Sequence, residues 1–505
     1  MRRHSPRVLA AALLAAVCAG VLLYEYMHTA NRPRIQRVHD EPTLTAFLAD
    51  AKAAALQHVS ARADARGALV LVLGNEAGDL DSAASAIALC YAIEHEYAHF
   101  ARYGLPRARY VPVLQTRRSD LDQRRENLAV YAAVGIDAAD LLCIDEVRDA
   151  ADGALTPANN TFVGLVDHAA LVPSWGSAAV LIVVDHHADV GAHMDAPLRI
   201  IYPPASRPAG SASSIVARLY AEALGGRPPA RGIADLLLSA GVIDTRNYRL
   251  APAGKATAID EEARVFLQPF SSFASAAGTA NMVARGRAAL AHAPLPPRTP
   301  AVHGKTACTG ALMDDWSAFM QGVKSDVGHL DAHQLLARDY KEGVVSAHKF
   351  GIASVPIGLH ALVTGSYRGA ADGDLGAQWR TFWRTAAAWM DERATDTLVV
   401  MLSHRKEGKK KQRRELVLVS RDCAHFGALV RGLEVAGAPG SEPDHPSAAP
   451  PLGLEEWHAH GTHVHGLRGA RVDVPSERCA AVWRQKNTKA NRKVLQPLLE
   501  RLLQT

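Results

Sequence analysis

ALVLVLGNEAGDLDSAASAIALCYAI, residues 68–93, decides the fold. Ala68 to Leu73 is a short, uninterrupted apolar run, the pattern of a strand buried on both faces. GNEAGDLDS at 74–82 is a Gly-rich, acidic loop. From Ser82 to Tyr97 the spacing predicts an apolar helix, with Asp81 or Ser82 placed to cap it. A strand, a polar loop and a helix in this order form the opening unit of a parallel α/β sheet.

The pattern repeats along the chain. Strands are expected at Tyr110 to Leu114, Leu141 to Ile144, Phe162 to Val166 and Val180 to Val184, with a helix over Leu121 to Val134. Asp145 follows the second of these runs, Asp167 and His168 the third, and Asp185, His186 and His187 the fourth. A helical run from Arg231 leads through Ala240-Gly241-Val242-Ile243 to Asp244. Parallel sheets bind ligands outside the carboxyl ends of their strands, so Asp79, Asp81, Asp167, His186 and Asp244 are expected to be neighbours in one crevice. Any one of them alone reads as a turn or helix cap. Carboxylates gathered in this number repel one another unless cations neutralise them, and oxygen donors with one or two imidazoles suit Mg²⁺ or Mn²⁺.

GNEAGDLDS at 74–82, VDH at 166–168, VDHH at 184–187 and VIDTRN at 242–247 resemble, in order and spacing, the four motifs of the DHH phosphoesterase superfamily. GSASS at 210–214 resembles the segment that opens a helix there. In the second half, LARDYK at 336–341, KFGIASV at 349–355, SHRKEG at 403–408 before RELVLV, and NTKANRKVLQP at 487–497 resemble the DHH-associated domain. That domain is shared by family II pyrophosphatases, prune-type proteins and eukaryotic-type exopolyphosphatases. GNE, an uninterrupted VDHH and an RKxG loop followed by REL look most like the exopolyphosphatases. Family II pyrophosphatases have His where this chain has Asn75, and prune-type proteins carry Arg in place of His187. The terminal motif departs from its relatives at Asn491, where Ser or Thr is usual, and at Val494, but keeps Arg492 and Lys493.

The resemblance implies an α/β chain of two domains with the active site in the cleft between them. These are an N-terminal parallel-sheet DHH domain over 40–250 and a C-terminal mixed α/β DHH-associated domain over 271–505, with 251–270 as linker. It implies two divalent cations, Mg²⁺ or Mn²⁺. Asp79 and Asp81 would hold different metals, Asp167 would bridge them, His186 and Asp244 would complete the second site, and Asn75 would line the first. An amide oxygen in place of an imidazole hardens that first site towards Mg²⁺. Asp185 reads as an acceptor that orients an imidazole, and His187 as a group that contacts the scissile phosphate or protonates the leaving oxygen. Lys341, Arg405, Lys406, Arg492 and Lys493 would close over a polyanion, with a solvated basic face as the plainer reading of Arg405 and Lys406. The activity implied is exopolyphosphatase, hydrolysing terminal phosphate from inorganic polyphosphate by two-metal-activated water. The alternative is a prune-like or pyrophosphatase-like hydrolase of short-chain or nucleotide phosphates.

At the amino terminus, Arg2, Arg3 and Arg7 precede an apolar run from Val8 to Leu23, and no acidic residue appears before Glu25. Residues 1–30 read as a targeting or anchor segment. A single-pass anchor through 8–27 and a cleaved signal peptide both fit, placing the protein on a membrane or in a secretory or vacuolar lumen; a mitochondrial presequence is the alternative. Asn159-Asn160-Thr161 is a glycosylation acceptor pattern that matters only in a secretory compartment. The six cysteines (Cys18, Cys90, Cys143, Cys308, Cys423, Cys479) lack CxxC spacing and are too sparse for a disulfide scaffold; Cys90 and Cys143 read as core. His458, His460, His463 and His465 follow a Pro- and Gly-rich stretch and read as a surface loop, and 292–304, with its prolines and Gly304, reads as a loop inside the second domain. There is no repeat of solenoid length.

The net charge of +5 is too small for 505 residues to argue for a nucleic-acid partner. It is unevenly spread. Segments 404–415 and 483–493 each carry a net +5, so the remainder of the chain stands at −5. An acidic body and two basic segments suit a polyanion held between unlike domains.

Overall fold

The computed structural model describes residues 43–61, 67–148, 159–172, 175–176, 178–251, 253–290, 311–370, 373–405, 412–435, 452–457 and 478–504. The amino-terminal segment, Lys406, Cys18, Cys308, segment 292–304 and the histidines at 458–465 lie outside the described residues. No described helix is long and apolar enough to cross a membrane.

Leu69–Leu73 (β1) is buried at every position, as an apolar run of this length demands at the centre of a parallel sheet. It pairs in parallel with Arg109–Leu114 (β2) on one side and Thr161–Val166 (β4) on the other. Leu142–Cys143 (β3), Val180–Asp185 (β5) and Leu198–Ile201 (β6) complete the order β3-β2-β1-β4-β5-β6. The order of winding reverses between β1 and β4, so the loops leaving these two strands diverge and open a crevice at their carboxyl ends. Helices Leu80–His95, Ala212–Leu224 and Arg231–Asp244 cover one face through a core that includes Ile87, Ile215 and Leu237. Ala51 and Ala55 of helix Leu44–Ser60 pack on the other face with Leu69, Leu71 and Leu73.

The second sheet has the order β11-β12-β10-β9-β8-β7, from Leu454–Glu456 (β11), Cys479–Gln485 (β12), Gln412–Ser420 (β10), Thr397–Arg405 (β9), His348–Val355 (β8) and Tyr340–Val345 (β7). Only β8 and β9 run parallel; every other pair is antiparallel, so the sheet is mixed. Helices Ala332–Arg338 and Leu375–Glu392 cover one face, and Phe426–Val435 and Arg492–Leu503 the other. Cys423 and Cys479 form a disulfide across 56 residues, while Cys90 and Cys143 are buried and free, as core cysteines.

Three sequence expectations change. Leu141 to Ile144 yields a strand of only two residues, because Ile144 already begins a helical turn. Leu121 to Val134 splits into a 3-10 segment, Arg118–Arg124, and a helix, Arg125–Val134. Residues 251–270, expected as a linker, contain helix Ala258–Leu267, capped by a Thr257/Asp260 capping box. Leu267, Met282, Trp316 and Met320 all pack into the core of the first sheet, so the first domain's packing extends to helix Asp314–Ser325.

A buried ionic cluster joins the halves. Arg338 donates to both oxygens of Glu126 at 3.0 Å and to the Lys324 carbonyl at 2.9 Å. Arg124 donates to the Ala77 carbonyl and, at 2.6 Å, to the Arg338 carbonyl. Burial disfavours the Glu126 carboxylate, but Arg338 and then Arg124 outweigh it and hold the carboxyl below its ordinary range. Arg338→Met leaves Glu126 buried without its main partner and should cost about 3–5 kcal/mol at neutral pH, read by denaturant unfolding of wild type and variant. Because the folded-state value of Glu126 is depressed, this stabilisation is fully present above the unfolded glutamate range and is lost as pH falls through the folded value. The difference between the two proteins should therefore shrink in acid; a gap constant down to about pH 3 would contradict the assignment.

Candidate active site

The loop leaving β1 is shaped by Gly78, which has a φ of +58° and where an added Cβ would collide with Thr116 Oγ1, so no larger residue is admitted. The turn delivers Asp79 as N-cap of helix Leu80–His95, its Oδ1 accepting from Ser82 N at 3.0 Å; the cap is thus Asp79, not Asp81 or Ser82 as expected. This frees Asp81, in the first turn, to point inward. Its carboxylate accepts from Ser211 Oγ at 2.6 Å, Ala212 N at 2.7 Å and Ser213 N at 2.9 Å. The GSASS segment therefore serves to hold Asp81 with the amino terminus of a second helix.

Asp167 follows β4 with a left-handed φ of +64°, a conformation that costs on the order of 1–3 kcal/mol and persists only where its surroundings enforce it. Its backbone N–H donates to Val184 O at 2.9 Å, and Asn75 Nδ2 donates to its Oδ2 at 2.6 Å. Asp185, at the end of β5 and fully buried, accepts at Oδ1 from the His186 N–H and from His187 Nδ1, both at 2.8 Å. His186 Nδ1 donates to the Ala209 carbonyl at 2.9 Å. Since a carbonyl can only accept, this fixes the ring so that Nε2 faces the carboxylates, 3.1 Å from Asp167 and 4.0 Å from Asp81.

Asp244, expected at the end of a helical run from Arg231, is the last residue of helix Arg231–Asp244. Arg246, Asn247 and Tyr248 then take three successive left-handed conformations, held by Asn247 N to Val242 O at 2.7 Å and Tyr248 N to Thr245 Oγ1 at 2.8 Å. Thr245 and Asn247 of VIDTRN thus turn the chain sharply after the acid. Asp145 lies elsewhere, capping Arg118 N beside edge strand β3.

Asp81, His186 and Asp244 bring donor atoms within 4.8 Å of one another, as do Asp167, His186 and His187. Burial, and then the Asp167 and Asp244 carboxylates, push Asp81 well above the usual carboxylate range; burial and then Asp79 raise Asp244. Burial opposes charging His186, but Asp167 and Asp81 push it up to about 10. Asp79 and Asp185 are held low: Arg124 and the Ser82 N–H outweigh the burial of Asp79, and His187 outweighs that of Asp185. The raised Asp81, Asp244 and His186 mark a strongly negative site, and carboxylates with imidazole nitrogens are donors suited to a hard or borderline divalent cation. Asn75 directs its amide nitrogen at Asp167, and its Oδ1 makes no hydrogen bond among the described residues; a role as oxygen ligand requires the amide to rotate by half a turn.

Facing this cluster is a cavity of about 430 Å³, lined by His187 and Lys255 from the first domain and by Lys341, Arg414, Arg492 and Lys493 from the second. Arg492 is paired with Asp339 at 3.0 Å. Desolvation, and then the Lys255 ammonium, hold Lys493 below the usual lysine range. Arg405 is exposed at the end of β9 and does not line the cavity. Lys255, Arg414 and Arg124 escaped the sequence reading. Arg414 stood inside the quoted REL segment and Lys255 nine residues beyond VIDTRN's Arg246, but neither carried a spacing that set it apart from surface charge.

Residues 69–241 match the DHH family, N-terminal domain, and residues 319–502 match the DHHA2 domain. Among solved structures, a putative family II inorganic pyrophosphatase of Methanococcus jannaschii is 16% identical, covering 86% of this chain and 99% of that one at a TM-score of 0.47. The DHH domain of a protein described as belonging to a family of ribosomal proteins is 12% identical, covering 98% of this chain and 99% of that one at a TM-score of 0.20. Ser211→Ala removes one of the three bonds that orient Asp81 and should weaken Mn²⁺ binding about 10–100-fold, measured by titration calorimetry on the full chain; unchanged affinity would separate Asp81 from metal binding.

Proposed function

We propose that this metal-dependent DHH-family phosphoesterase is an exopolyphosphatase, removing terminal orthophosphate from inorganic polyphosphate. The observation that carries the reading is the pairing of the Asp81, Asp167 and Asp244 cluster with a facing cavity that holds Lys255, Lys341, Arg414 and Lys493. The acidic side repels a polyanion unless cations intervene, and the basic side attracts it. A phosphoanhydride chain bound through divalent cations on one face and ammonium and guanidinium groups on the other satisfies both.

When bound, divalent cations would supply Lewis acidity towards water and phosphoryl oxygen. Asp81, Asp167, His186 and Asp244 would hold them. Asp185 accepts the Nδ1 proton of His187, which leaves Nε2 to meet the substrate; His187 lines the cavity with its side chain 31% exposed. His187 is thus placed to hold a proton at Nε2 for the leaving phosphate oxygen. Lys341 and Lys493 make no side-chain hydrogen bond or ion pair among the described residues and serve as mobile point charges for phosphate. Membrane or lumenal placement through residues 8–27 is part of the same proposal, and the Cys423–Cys479 bridge supports an oxidising compartment.

Phosphate release by the full-length protein with Mg²⁺ or Mn²⁺ tests the reading on long polyphosphate, tripolyphosphate, pyrophosphate and a cyclic nucleotide. Long chains are the expected best substrate, and pyrophosphate as best substrate would overturn the exopolyphosphatase reading in favour of a pyrophosphatase-like one. Asp167→Ala should abolish turnover on every substrate, and Lys493→Met should raise KM with a smaller change in kcat; wild-type kinetics in either would count against the assigned site.

A further inference from the structure

We propose that Arg414, with Ser403, forms a second phosphate subsite at the end of the cavity remote from the acidic cluster, which engages chains of three or more phosphates. The subsite rests on the phosphoanhydride reading above and assigns its chain-length preference to particular residues.

Arg414 sits on β10, in register with Ser403 of β9 and Gln485 of β12. Its Nε donates to the Thr488 carbonyl at 2.9 Å, within the loop that leads to the helix. One donor of the guanidinium fork is thereby fixed, and the two terminal amino groups remain, the geometry that grips two oxygens of one phosphate. No carboxylate serves them among the described residues. Glu415, the next residue along the strand, lies on the opposite face and accepts from Leu359 N and Trp457 Nε1. Asp339, the carboxylate lining the cavity, is taken by Arg492. Burial lowers the affinity of Arg414 for its proton with no opposing carboxylate. A half-buried guanidinium without a counter-ion is stabilised when an anion arrives from outside.

The cavity's cations also differ in what they face. Lys341 lies on edge strand β7, three residues after Arg338, whose carbonyl Arg124 holds beside the acidic loop, and Arg492, next to Lys493, bonds Asp339 just before β7, whereas Arg414 lies on β10, separated from β7 by β9 and β8. Lys341 and Lys493 are therefore the near cations and Arg414 the far one. Asn491 caps the adjoining twelve-residue helix through Lys493 N at 3.0 Å, so the positive end of that helix opens on the same cavity. A diphosphate at the acidic cluster is met by the near lysines; a third phosphate extends to Arg414.

The test compares kcat/KM for pyrophosphate, tripolyphosphate and long polyphosphate in full-length wild type, R414M, R414K and K341M. Losing a charge-assisted fork should lower the ratio of tripolyphosphate to pyrophosphate kcat/KM about 10–100-fold in R414M. R414K should fall between R414M and wild type, and K341M should lose on all three substrates with little change in the ratio. An unchanged ratio in R414M and R414K, with melting temperatures like wild type, overturns the subsite. If R414M fails to fold, R414K alone decides by the same ratio. If wild type cleaves none of these substrates, the phosphoanhydride activity falls, and calorimetric binding of tripolyphosphate against pyrophosphate decides the subsite by itself: selective loss in R414M sustains it and equal affinity overturns it.

Discussion

The ionic cluster of Arg124, Glu126 and Arg338 governs how the two halves of the site meet. Glu126 and Arg124 stand around the start of helix Arg125–Val134 of the first domain, while Arg338 ends helix Ala332–Arg338 of the second. Arg124 binds the Ala77 carbonyl, inside the loop that supplies Asn75 and Asp79, and the Arg338 carbonyl, three residues before Lys341. The loop that carries acidic groups and the strand that carries a cation are thus referred to one guanidinium. Burying three charged groups brings little net stability by itself. Its effect here is geometric, because each charge has one arrangement that satisfies it.

The two domains answer opposite electrostatic problems. The first gathers carboxylates at the point where its sheet reverses winding, and there burial and mutual repulsion raise Asp81 and Asp244. The second gathers cations whose carboxylate partners are few. Neither surface is comfortable alone, and a multiply charged anion together with divalent cations resolves both. The small net charge of the chain conceals this division.

Much of the fold was legible because the buried strands announce themselves. The apolar runs at 68–73, 110–114, 162–166 and 180–184 each appear as strands within a residue or so of their expected ends, and Asp79, Asp81, Asp167 and His186 beyond the first, third and fourth converge as the topology requires. Asp244 ends the expected helical run from Arg231 and so reaches the crevice from a helix rather than a strand, while nothing local in VIDTRN marks the three left-handed residues at 246–248 that turn the chain after it. The basic wall was less legible. Arg405 and Arg414 belong to one charged segment, and β10 is buried from Leu416 onward on both faces, so no alternation revealed which arginine turns towards the cavity. The packing of Trp316 and Met320 on the first domain depends on contacts distant in sequence, which no local pattern records.

The Cys423–Cys479 bridge has a topological consequence. Cys479 begins β12, and the chain beyond it supplies Arg492 and Lys493 to the cleft. A single proteolytic cut anywhere between 424 and 478 would divide the polypeptide, yet the carboxyl-terminal piece would stay covalently attached beside Ser420, its ladder partner on β10. The protein could therefore exist as a nicked two-chain form that retains its basic wall, and would come apart into two fragments only when reduced.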